Sequence, residues 1–310
     1  IKRNTVTTIK GSLLTTGTSI DAGIDGSFAG GVTFVNNATA LRSAITEARS
    51  GGVVVLNADI TLDDVTRAEQ TTALVIGEDK IITLDLNGRS LTMTKACTAS
   101  YSMITNKGEL TIKDGVGGGK ISFTDTGTGD PSFGWGSYTI TNNNTLVVEG
   151  GLIENLSQHN AGASVTHMYC AIQQGWGALS TTIKGGKIST PTYRSIRVNH
   201  GSLTISGGEC EGQVWMQPSA TDTSLSVSGG EFAPRGVDGS SIFVENSSKV
   251  VAFEVTGGYF HTRIGASTPV AAIKGGLFDQ VAKEKTNSAM LVSGYGFVEK
   301  SAGLWEVVAL

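Results

Sequence analysis

Six times along the chain a short alternating strand runs into a Gly-Gly pair, and a second short strand follows. The copies are LVVEGGLIE (146–154), TTIKGGKIS (181–189), LTISGGECE (203–211), LSVSGGEFA (225–233), FEVTGGYFH (253–261) and AAIKGGLFD (271–279). A looser copy, LTIKDGVGGGKISF (110–123), carries an insertion at the turn. The first glycines are Gly150, Gly185, Gly207, Gly229, Gly257 and Gly275, with steps of 35, 22, 22, 28 and 18 residues. A shared minimum near twenty with a variable excess describes one coil plus loops of differing length. Leu, Ile or Val alternates with Thr, Ser or Lys, so each strand buries one face. The glycines permit a sharp corner. No coil buries its apolar face alone, whereas stacked neighbours do. The chain therefore reads as an all-β parallel solenoid of about ten coils.

A second corner repeats as well. ITNKGELTI (104–112), ITNNNTLVV (140–148) and VNHGSLTI (198–205) each place Asn after an apolar strand. Asn tolerates left-handed backbone and bonds its own turn, so stacked copies are expected to form an asparagine ladder. The ends differ from the middle. NNATALRSAITEARSGG (36–52) spaces Leu41, Ala44, Ile45 and Ala48 as one helical face and stops at a glycine pair. We expect a helix at about 38–50 that covers the open end of the coil stack. GYGFVEKSAGLWEVVAL at the other terminus reads as a capping hairpin. The resulting division is an extended arm at 1–33, a coiled body at 34–287 and capping strands at 288–310.

With those elements in place, the helix followed by GGVVVLNADITL and the LTI-x-GG coils resemble the pectate-lyase-like right-handed parallel β-helix superfamily. The wording LDLNGRSLTM, NKGELTIKDGVGGGKI and SGGEF, ending in GYGFVEKSAGLWEVV, is similar to repeat surface proteins of gut bacteria and to bacteriophage β-helical spike and fibre proteins. The resemblance covers about 34–310. It implies a single-stranded right-handed β-helix with an N-terminal capping helix. It implies no one activity, because such a fold carries lyases, hydrolases, adhesins and spikes alike.

Composition narrows the partners. The formal net charge is −4, and Lys and Arg form no basic stripe, so nucleic acid is not expected. No apolar run approaches a membrane span of ~20 residues. The start, Lys2-Arg3 followed by NTVTTIKGSLLTTGTS, has no apolar segment of a secretory leader. Cys97, Cys170 and Cys210 are too few and too scattered for a disulfide framework, and they read as small buried side chains. His159, His167 and Cys170 share one insertion but match no zinc spacing, so no metal or cofactor is expected.

Candidate chemistry lies in the loops. The coils containing 119–150 and 151–186 exceed the minimum, and solenoid insertions usually build one binding face. They carry Trp135, Tyr138, Tyr169 and Trp176, and Trp215 lies in another turn-like stretch. Aromatic rings with polar rims suit sugar rings. Arg194 and Arg197 lie without an acidic neighbour in sequence, and they are candidates for an acidic sugar. Asn199 and His200 are expected to be turn residues, with His200 in the slot of Lys107. Asp125 and Asp130 are the candidate carboxyl pair for glycoside chemistry.

The leading expectation is a non-enzymatic appendage or adhesin that displays loops to a host surface glycan. It would sit on a virion as a head fibre or tailspike, or on a bacterial surface. A homotrimer is expected, with the arm at 1–33 anchoring to another virion protein. The alternative expectation is a polysaccharide lyase or glycoside hydrolase working in a groove on the coils.

Overall fold

A computed structural model describes residues 31–63, 71–127, 136–157, 168–219, 221–234, 239–245 and 247–310. The expected arm at 1–33 lies outside the described residues except for its last three. Strands dominate, and their pairing is parallel from Val32 to Asp279.

Each turn of the chain lays one strand on each of three faces. Face one is a nine-stranded sheet that begins with Val32–Val35 and Gly52–Leu56 and continues through Ile81–Asp85, Glu109–Lys113, Thr145–Val148, Ser180–Ile183, Ser202–Ile205 and Thr223–Val227 to Val250–Val255. Face two runs from Ile60–Thr61 through Ser90–Lys95, Lys120–Asp125 and Leu152–Asn155 to Glu231–Phe232, Tyr259–Phe260 and Leu277–Asp279. Face three holds Thr72–Ile76, Tyr101–Asn106, Gly136–Asn142, Met168–Gln174, Ser240–Val244 and Arg263–Ala266. The long strands Lys187–Val198 and Glu209–Met216 bend across faces two and three, with register shifts between Ser189 and Arg194 and between Arg194 and Ile196. Among the described residues there are eight complete turns, with a partial one at each end. This is the pairing pattern of a parallel solenoid.

The period-2 pattern explains the interior. On face one, Val54, Leu84, Ile112, Val148, Ile183, Ile205, Val227, Val255 and Ile273 follow one another at the same register position. Each is at most 1% exposed. Burying such a side chain is worth ~1.5–3 kcal/mol, so the column supports every turn it passes through. On face two, Phe232, Phe260 and Phe278 stack with centroids 4.8 Å apart at each step, and Phe297 meets Phe278 edge-on at 5.1 Å.

The Gly-Gly corner joins face one to face two, and its two glycines answer different constraints. At Gly207 an added Cβ would sit 2.4 Å from the carbonyl oxygen of Lys184 on the preceding turn. At Gly208 the backbone is left-handed, with φ +79°, where a Cβ is strained. The other five pairs likewise carry the positive φ on their second glycine.

The asparagine ladder is shorter than expected. Asn106 Nδ2 donates to Asn142 Oδ1 at 2.8 Å, and Asn142 Nδ2 donates to Thr181 Oγ1 at 3.0 Å. Gln174 takes the next place and Val198 the one after it. Asn199 lies one residue beyond that column because its turn is one residue longer than the turns after Asn106 and Asn142.

At the N-terminal end, helix α1 (Ala38–Glu47) starts on Asn37, whose side chain accepts from Ala40 N, and it buries Leu41, Ala44 and Ile45. At the other end, α2 (Gln280–Lys285) follows Leu277–Asp279. Leu304–Ala309 pairs antiparallel with both Leu277–Asp279 and Tyr295–Ser301. No helix among the described residues is long and apolar enough to cross a membrane.

Candidate functional site

The corner between face three and face one bears a long open cleft. It has an open volume of about 1160 Å³ and gathers Tyr138, Trp176 and Arg197 from three different turns. Its walls are rich in carboxamides, Asn143, Asn144, Gln173, Asn199 and Gln217, with Lys107 and Lys249 among them.

Strand register places these groups. Thr141, Gln173, Arg197 and Trp215 occupy one row of face three on consecutive turns. Arg197 is held from both sides. Its Nε and Nη2 donate to Gln217 Oε1 at 3.1 and 2.7 Å, and its Nη1 donates to Gln173 Oε1 at 3.2 Å. Gln173 Nε2 in turn donates to Asn199 Oδ1 at 2.6 Å, and Asn199 Nδ2 donates to the Gln217 carbonyl at 2.8 Å. Every one of these partners is neutral. No carboxylate among the described residues pairs with Arg197, so its charge is oriented without being cancelled. Such lashing lowers the ordering cost of binding.

Trp176 is 78% exposed, high for an indole in a folded chain. Its ring rests on His200, centroid to centroid 4.7 Å. His200 is buried, with Nδ1 3.1 Å from Asp222 Oδ2. Burial acts to raise the Asp222 pKa, but the His200 contacts outweigh it and hold the carboxyl below its usual value. His200 is thus a turn residue, as expected, yet it differs from exposed Lys107 in supporting an aromatic ring. Tyr138 is partly buried, and its phenol is pushed up to about 12 by that burial and by neighbouring Cys170, against the opposing pull of Arg197.

The remaining candidates lie elsewhere. Trp215 is only 4% exposed, and the Arg194 guanidinium covers its ring at 3.5 Å from the centroid. That contact is a cation–π pair that packs the two together. Tyr169 is also buried. None of Trp215, Arg194 and Tyr169 lines the cleft. Asp125 is buried at the end of Lys120–Asp125, where its carboxylate accepts from Cys97 N at 2.9 Å, Gly127 N at 2.8 Å and the Ser137 hydroxyl. The Gly127 bond closes the local turn, and the other two tie it to the preceding turn and to Gly136–Asn142. Asp130, Trp135, His159 and His167 lie outside the described residues.

The three cysteines are free and buried. Burial pushes their thiols up, to about 12 for Cys97 and Cys210 and about 11 for Cys170, which leaves little thiolate for reaction. Among the described residues no group of three or more His, Cys, Asp or Glu is arranged to hold a metal ion.

Sequence reasoning missed Lys107, Lys249 and the carboxamides. Their signal was positional: Lys107, Asn143, Gly175, Asn199 and Gln217 all take the first place after a face-three strand. No protein-family model, no curated protein and no solved structure matches this chain.

Proposed function

We propose that this chain is a rigid, non-catalytic β-helix that binds glycan in the cleft between faces three and one. One observation carries the proposal: Tyr138, Trp176 and Arg197 converge with five carboxamides in a single open cleft. Indole and phenol rings stack on the C–H faces of sugars, and carboxamides pair with hydroxyls in both directions. The Asp125 carboxylate is tied into a turn, which argues against its serving as a glycosidase acid.

Within the same proposal the coil is right-handed and of the pectate-lyase-like kind. Helix α1 covers one end of the stack and the Tyr295–Ala309 hairpin the other. The wording of the repeats supports a place on a virion appendage or a bacterial surface. A homotrimer anchored through 1–33 is part of that picture. The test is a glycan array run with product analysis by mass spectrometry. Binding without chain cleavage supports the adhesive reading. Release of new reducing ends or unsaturated sugars overturns it in favour of a hydrolase or lyase. Light scattering reads the trimer separately.

A further inference from the structure

The cleft is unusual in how its walls are supplied. Moving along the stack, successive turns contribute Glu78, Lys107, Asn143, Trp176, Asn199, Gln217 and Lys249. Seven consecutive turns therefore each place at least one residue in the same corner. Six rises of about 4.8 Å make a trough of roughly 29 Å along the stack. Its volume of about 1160 Å³ lies above the ~300–1,000 Å³ of pockets that enclose one small molecule. A single terminal sugar would leave most of this trough empty, whereas a linear chain lying along the stack would fill it.

Charge is distributed along the trough as well. Lys107 belongs to the second complete turn, Arg197 to the fifth and Lys249 to the seventh, so the cations are spread out rather than clustered. Glu78, on the first turn, is the one acid among the described lining residues. Lys107 and Arg197 form no ion pair among the described residues, and Lys249 Nζ donates to the Ser219 carbonyl at 3.1 Å. Three cations face one acid here, although the whole chain carries −4.

Resting on the glycan reading above, the geometry points to a linear polysaccharide with recurring anionic groups, several sugars of which lie along the seven turns from Glu78 to Lys249. Arg197 holds an anionic group near the centre of the bound segment, Lys107 and Lys249 engage others toward its ends, and Trp176 stacks on a ring between them. A nucleic acid fits less well. It carries a charge on every nucleotide and is held by denser Lys and Arg with repeated aromatic platforms, whereas here five carboxamides outnumber three cations.

The experiment is titration calorimetry of the full chain. The probes are hyaluronan, chondroitin sulfate, alginate and polysialic acid, each cut to two, four, six and eight sugars. Neutral cello-oligosaccharides and oligo-dT of matched length run beside them. The expected result is that at least one acidic series tightens a hundredfold or more from the disaccharide to the hexasaccharide and then levels off. Lys107→Glu with Lys249→Glu should weaken the hexasaccharide at least tenfold and the disaccharide less than twofold. Arg197→Gln should weaken both, and an unchanged melting temperature certifies each variant's fold. Carboxylate-only and sulfated series distinguish the two sources of charge. Full affinity at the disaccharide, equal affinity for neutral chains, or tighter binding of oligo-dT would overturn the inference. In the first two cases glycan binding itself stands. Absence of binding by every glycan, neutral or acidic, removes both.

Discussion

The two corners that flank face one are built on opposite plans. At the Gly-Gly corner, from 149–151 onward, the segments 184–186, 206–208, 228–230 and 256–258 are all three residues long. At the cleft corner the segments 107–108, 143–144, 175–179, 199–201 and 217–222 range from two residues to six. Both corners hold a glycine close against the preceding turn, with an added Cβ 2.4 Å from a carbonyl oxygen at Gly207 and 2.3 Å at Gly108, so the contrast lies in the constant length of the first corner. The second opens outward, and its extra residues form the walls of the cleft. A solenoid needs only its inward columns and one tight corner to keep register. The other corner is then free to vary, and that freedom is where binding groups accumulate.

The strongest test of this contrast is insertion. One alanine placed between Gly207 and Gly208 should shift the next strand's faces and leave the chain insoluble or proteolytically labile, because a one-residue slip exchanges buried and exposed sides. One alanine placed within 217–222 should lower stability by less than about 1 kcal/mol in urea unfolding, since lengthening a loop adds little closure entropy. Comparable losses at both sites would remove the distinction. Gly208→Ala is expected to lower unfolding free energy by at least about 1–2 kcal/mol, the strain of a Cβ in left-handed backbone, because that Cβ would also sit 2.7 Å from the Gly186 carbonyl oxygen.

At the cleft corner, Trp176→Ala should leave unfolding free energy within about 0.5 kcal/mol, as for other exposed positions. It should weaken glycan binding about tenfold, or about 1.4 kcal/mol. A large stability loss would mean that the indole packs the fold rather than serving a ligand.

The smallest effect belongs to Asp85, at the end of Ile81–Asp85. Burial acts upward on its carboxyl, but Gly115 N, Asn87 N and Lys113 outweigh it and hold the pKa below 3.8. A folded-state pKa below the unfolded value stabilises above pH 3.8 and loses that contribution as pH falls through the folded value. Asp85→Asn should therefore lower stability slightly at neutral pH and flatten part of the acid limb below about pH 4, so that the two proteins converge in acid, read by circular dichroism across pH.

Much of the fold was legible because it repeats. The alternation in LTISGG or LSVSGG is a local consequence of one buried face, and a window of ten residues contains it. The cleft was legible only in part. Trp176 and Arg197 stood out by residue type, and the structure brings both to the trough. Trp215 and Arg194 stood out equally, yet they pack on each other beneath Arg197, whose guanidinium lies 5.4 Å from the Trp215 centroid, and neither lines the trough. The difference lies in the Arg194 guanidinium, which covers the indole although Trp215 shares its register row with Gln173 and Arg197. No local pattern announces such a cover.

Taken alone, the sequence determined the strand period, the glycine corner and the apolar columns, since each depends on neighbours a few residues away or on a repeat that recurs every twenty or so. Tertiary structure alone decided that Lys107, Arg197 and Lys249, separated by 90 and 52 residues, share one trough. Their meeting depends on how many residues each intervening turn spends before rejoining the stack. That count is fixed by strand pairing across turns rather than by anything written beside those residues.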